Sequence, residues 1–99
     1  MKRFTPISAS MELIVKGSFY RDLITHSDKH TLNAIYSAFR NISEAKTTAQ
    51  IQQLKKLRDY KSLYRVKVAN DYRLGLVIRG NKVWVTRFCH RSIFYKEFP

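Results

Sequence analysis

Two periodicities divide this chain. Through about residue 57 most apolar positions recur at intervals of three and four, and from Leu63 onward they alternate with polar ones. The first spacing puts side chains on one stripe of a helix, the second on one face of a strand. "MELIVK", residues 11–16, is the exception in the front half and reads as a first strand. Gly17-Ser18 breaks it, and Ser18 stands where an N-cap opens a short helix carrying Phe19, Leu23 and Ile24. Ser27 or Asp28 is the candidate cap of a second helix, whose Leu32, Ile35, Tyr36, Phe39 and Ile42 form one core-facing stripe. "TTAQIQQLKKL" predicts a further helical turn or two, with Ile51, Leu54 and Leu57 inward.

In the back half, "LYRVKVA" alternates Tyr64, Val66 and Val68 with Arg65, Lys67 and Ala69, as a half-buried strand does. "YRLGLVIR" and "KVWVTRF" follow, joined by Gly80-Asn81, a two-residue signature of a tight hairpin. These three strands form an antiparallel meander. With the first strand added, the fold class is α+β: a small antiparallel β-sheet with an N-terminal helical hairpin packed on one face. The chain reads as a single domain over 1–99, with residues 1–10 a candidate N-terminal extension ahead of Met11.

Register decides where the charges go. A three-residue loop, Ala69-Asn70-Asp71, pairs Val68 with Tyr72 and sets Tyr64, Val66 and Val68 on one face with Tyr72, Leu74 and Leu76. Arg65, Lys67 and Arg73 then emerge together on the opposite face. Continuing the count through the Gly-Asn hairpin pairs Arg79 with Lys82 and Arg73 with Phe88. Lys82, Trp84, Thr86, Phe88 and His90 are therefore expected on the basic face, with Gly75 leaving room for an approach to the backbone. Arg87 shares parity with Val83 and Val85, which points it at a helix acid such as Asp22.

Composition sharpens this picture. Nineteen Lys plus Arg against seven Asp plus Glu give a formal charge of +12 and a pI near 10.2, which attracts a polyanion. The apolar runs are strand-sized, so no membrane partner is expected. Cys89 is the lone cysteine and has no internal disulfide partner; it reads as a small buried hydrophobe in a reducing cytosol. His26 and His30 have no third ligand in sight, and neither a metal nor another cofactor is expected. Lys55 and Lys56 either extend a phosphate footprint or form a solvated face, and Trp84 either stacks on a base or covers the sheet.

"YRVKVANDYRLGLVI" followed by "VWVTRFCHRSIFYKEFP" resembles the RelE/ParE superfamily of type II toxin–antitoxin toxins, and the likeness runs over residues 11–99. The resemblance implies a cytoplasmic mRNA interferase: a ribosome-dependent endoribonuclease that inhibits translation and is neutralised by an acidic antitoxin protein. Arg65 and Lys67 match the family's two basic strand positions, Arg73 the Arg of its Tyr-Arg pair, Arg91 its later active-site Arg and Tyr95 its stacking aromatic. Cleavage by a 2′-hydroxyl needs a base, a proton for the leaving oxygen and stabilisation of negative charge. Lys67, flanked by like charges, is the candidate base. Arg73 and Arg65 would clamp the phosphate, with Lys55 and Lys56 extending the contact. Arg91 or His90 would assist the leaving group, and Tyr95 would stack. Two alternatives stand beside this reading: a ParE-like toxin acting on DNA gyrase without nuclease chemistry, and a basic nucleic-acid-binding module without catalysis.

Overall fold

The computed structural model describes residues 10–25 and 28–98, so nearly all of the candidate N-terminal extension, and His26, Ser27 and Pro99, lie outside the described residues. Strand β1 (Glu12–Val15) leads directly into helix α1 (Gly17–Ile24), and α2 (Lys29–Glu44) completes a helical hairpin. A short 3-10 turn, Thr48–Gln50, precedes β2 (Leu54–Lys56), followed by β3 (Leu63–Val68), β4 (Tyr72–Arg79), β5 (Lys82–His90) and a terminal helix α3 (Arg91–Glu97). The sheet runs β1-β5-β4-β3-β2. Its back half is the expected meander, and β1 joins it parallel to β5, with Leu13 beside Val83 and Val15 beside Val85. No helix among the described residues is long and apolar enough to cross a membrane.

Asp28 caps α2 by accepting from the Thr31 amide at 2.9 Å. Ile35 and Ile42 of the helical stripe enter the core, joined by Phe19 of α1, Val66, Val68, Leu74, Leu76, Ile78, Val83 and Val85. The rim of that stripe does not: Leu32 is 39% and Tyr36 67% exposed. Ser18 does not cap α1, whose N-cap position is Lys16. Its hydroxyl instead donates to the Thr86 carbonyl, which ties the helix to β5 beyond the point where β1 has ended.

The segment expected as extra helix holds a single 3-10 turn, Thr48–Gln50, and then becomes a short strand, Leu54–Lys56. Gln53 adopts a left-handed backbone at φ 62°, and Asn41 grips the chain there, donating to the Gln50 carbonyl and accepting from the Gln52 amide. These contacts turn the chain so that Leu54 pairs with Val66. Unpaired β3 backbone groups are satisfied by a fifth strand.

The larger correction lies between β4 and β5. Arg79 pairs with Lys82 as expected, but the register slips after Gly75: Leu76 faces Val85 while Gly75 faces Arg87, so Thr86 is the extra residue of a bulge. Thr86 donates its hydroxyl to the Gly75 carbonyl at 3.1 Å. Side-chain parity reverses beyond the bulge. Phe88 therefore leaves the basic face for the core, where it is 1% exposed and stacks on Tyr72 at 4.9 Å. Cys89, not Phe88, lies opposite Arg73, and His90 lies opposite Tyr72, away from the Arg73 face.

The tail beyond β5 is helical. His90 occupies its N-cap and accepts from the Ser92 amide through Nδ1. Phe94 and Phe98 bury themselves with Leu57, Cys89 and Leu63 in a second apolar cluster, on the sheet face opposite the helical hairpin. The group that approaches the Gly75 backbone is the chain's own Phe98: a Cβ at Gly75 would stand 2.7 Å from its Cδ1.

Candidate nucleic-acid interface

The β3–β4 hairpin assembles the basic cluster. Lys67 lies directly opposite Arg73, and Arg65, on the same side of β3, faces Gly75 on one flank and Lys55 of β2 on the other. Lys55, Arg65, Lys67 and Arg73 thus share the face that α3 partly covers. Lys56 pairs with Tyr64 and points to the other face, so it is not part of this cluster. None of Arg65, Lys67 and Arg73 is bridged to a carboxylate among the described residues.

Backbone carbonyls set the arginines. Nη1 of Arg73 donates to the Asn70 carbonyl at 2.8 Å and the Tyr72 carbonyl at 3.0 Å, which leaves Nε and Nη2 as an open fork. Nη1 of Arg65 donates to the Gln53 carbonyl at 3.1 Å, while its Nε is buried without a hydrogen-bond partner. Both anchoring turns hold left-handed residues, Gln53 at φ 62° and Asn70 at φ 62°. Nothing in the strand periodicity signalled this anchoring; the Asn-Asp turn was its only trace.

Arg91 reaches the same hairpin from α3. Its amide donates to the Asp71 carbonyl at 2.7 Å, and its Nε lies 3.7 Å from the Asp71 carboxylate. The turn 69–71 therefore contacts both Arg73 and Arg91. Tyr95 is 59% exposed, with its ring edge-on to the buried Phe94 at 5.0 Å. His90 is not brought to the cluster; its ring lies edge-on to Tyr72 and caps α3.

Arg87 is structural, as its expected partner implied. Nε and Nη2 bind the two Asp22 carboxylate oxygens at 2.7 and 3.2 Å, and Nη1 donates to the Glu97 carbonyl at 3.1 Å. Asp22 also accepts from the Phe88 amide, closing the β5 edge that β1 leaves open. The hydrogen bond to Asp22 raises the Arg87 pKa above its ordinary value, and burial raises that of the neighbouring Cys89 thiol. Arg87 is neutralised in this way and Arg65, Lys67 and Arg73 are not. Unneutralised cations beside an open guanidinium fork have the charge and donor geometry that suit a phosphodiester.

No family model matches the chain. Toxin RelE3 of Methanocaldococcus jannaschii is 27% identical over 90 residues, which is 90% of this chain and all of that relative. A chain of the RelB–RelE antitoxin–toxin complex from Methanococcus jannaschii superposes with a TM-score of 0.70 at 24% identity, covering 87% of this chain and 99% of that one. A conserved hypothetical protein of Helicobacter pylori superposes with a TM-score of 0.56 at 20% identity, over 81% of this chain and 93% of that one. The chain is thus similar in sequence along the full length of one RelE toxin and shares its α+β fold with the structures it superposes on.

Proposed function

We propose that this protein is the toxin of a toxin–antitoxin pair and cleaves messenger RNA on the ribosome. The observation that carries the reading is the Lys67–Arg73 pair: two cations opposite each other in adjacent strands, neither ion-paired, with the Arg73 fork held open by two carbonyls. Such a pair straddles a phosphodiester. Lys67, acting in its unprotonated amine form, takes the 2′-hydroxyl proton as that oxygen attacks phosphorus and the bond from phosphorus to the 5′-oxygen breaks. Arg73 and Arg65 stabilise the added negative charge, Lys55 lengthens the phosphate contact, and Arg91 assists the departing 5′-oxygen. Tyr95, with its ring in solvent, stacks on a base. His90 and Lys56 have no part in this scheme, because they face away from the cluster. The partner is an acidic antitoxin, as the RelB-bound relative suggests.

The test maps transcript 5′ ends after induction in a bacterium and repeats cleavage on purified translating ribosomes. Wild-type protein yields new ends within coding sequence, and Arg73→Ala yields none while remaining folded, since a partly exposed side chain changes stability by less than about 0.5 kcal/mol. Tyr95→Phe keeps the stacking face and most activity. Tyr95→Ala loses roughly ten- to a hundredfold, the equivalent of about 1–3 kcal/mol of stacking. Growth arrest without new ends would transfer the activity to a protein target, and undiminished cleavage by Arg73→Ala would remove Arg73 from the mechanism.

A further inference from the structure

The sheet face that holds Arg73 carries a second basic and aromatic cluster toward the β4–β5 turn. Lys16, Val77, Arg79, Trp84 and Thr86 line a shallow cleft of about 210 Å³. Trp84 stands between Ile14 of β1 and Val77 of β4 in cross-strand register, so aliphatic side chains support the indole while it remains only half-buried. Lys82 lies opposite Glu12 in cross-strand register. Lys16 and Arg79 are both exposed, and neither has a carboxylate partner among the described residues. A lone stacking ring with a free cation at each end is a poor match for an acidic peptide, which has no use for the indole face. It matches the alternation of base and phosphate in a single strand.

We infer that this cleft is a second contact for single-stranded RNA, in which a base stacks on Trp84 while Lys16 and Arg79 hold flanking phosphates; the inference rests on the proposal that the protein acts on RNA. Val77 and Arg73 lie on one strand, about 13 Å apart. The cleft therefore holds the strand at a distance from the reacting phosphate and fixes its direction across the sheet.

Trp84 is the only tryptophan in the chain, so indole fluorescence reports this cleft alone. The probe is a 2′-O-methylated single-stranded hexamer, which lacks the attacking hydroxyl and separates binding from cleavage. Quenching should saturate together with hexamer anisotropy. Trp84→Phe should bind nearly as well as wild type, and Trp84→Ala about tenfold or more weakly. Arg79→Ala and Lys16→Ala should each flatten the log–log salt dependence by about 0.7, the contribution of one phosphate contact on a single strand. The inference is overturned if indole emission stays constant at saturating hexamer, if inorganic polyphosphate quenches equally, or if Trp84→Ala binds as wild type. Quenching by the hexamer in a protein that fails to cleave on ribosomes would sustain the cleft and reject the nuclease. Ribosomal cleavage with a silent Trp84 would do the reverse.

Discussion

At the scale of single residues, a few side chains set their neighbours' geometry through hydrogen bonds that no periodicity describes. Asp28 is the clearest case with a pH consequence. Its carboxylate accepts from the Thr31 amide at 2.9 Å and the Thr31 hydroxyl at 2.7 Å, and these bonds, the amide first, hold its pKa below the ordinary 3.8. A carboxyl whose folded pKa is depressed contributes stability above its unfolded value and loses that contribution as pH falls through the folded one. The first turn of α2 should therefore stay intact at the pH where an ordinary aspartate is half protonated and fray only in stronger acid. Following the Thr31 amide resonance against pH checks this, and a midpoint at or above 3.8 would contradict it. Asp28→Asn, which still accepts a hydrogen bond, should abolish the dependence.

At the scale of elements, α3 is held over the sheet by two aromatic rings and one tight contact. Phe98 lies on Gly75, where an added Cβ would stand 2.7 Å from the ring. Gly75→Ala should therefore push Phe98 out and cost about 1–3 kcal/mol, as overpacking does. Phe98→Ala removes the obstacle, so the double variant should cost less than the sum of the two single ones. Cys89 supplies a second readout. It is 3% exposed beneath the same rings, and burial holds its thiol in the protonated form. Thiol labelling should be slow in wild type and faster in Gly75→Ala. Equal labelling rates with strictly additive stabilities would show that Phe98 does not rest on Gly75. The same element presents Arg91 and Tyr95, so loosening α3 should also depress the ribosomal cleavage proposed above.

At the scale of the whole molecule, charge dominates. A formal +12 on 99 residues makes association with any polyanion fast and salt-sensitive. Co-expression with a neighbouring acidic gene product should restore growth. The rate of complex formation with that product, followed by stopped flow, should fall as salt is raised from about 50 to 200 mM while dissociation changes little. A flat association rate would mean that apolar contacts alone direct the encounter.

The α+β class, the two-helix hairpin, the three-strand meander and the grouping of Arg65, Lys67 and Arg73 were all legible in the sequence. Each rests on local repetition: a period of three to four for helices, a period of two for strands, and a short loop that fixes register from Val68 to Tyr72. The placement of Phe88, Cys89 and His90 was not legible, because the Thr86 bulge inserts one residue and reverses every later side chain. The bulge is settled by burial across the sheet, where Phe88 packs against Phe19 and Tyr72. Strand β2 and helix α3 were hidden for the same kind of reason. Their segments are too short for periodicity to distinguish, and their form is decided by distant partners: the edge of β3 for Leu54, and the opposite sheet face for Phe94 and Phe98. Sequence alone determined which residues form the basic face's centre; tertiary packing decided its borders, since only the assembled sheet brings residues far apart in the chain into competition for the same buried space.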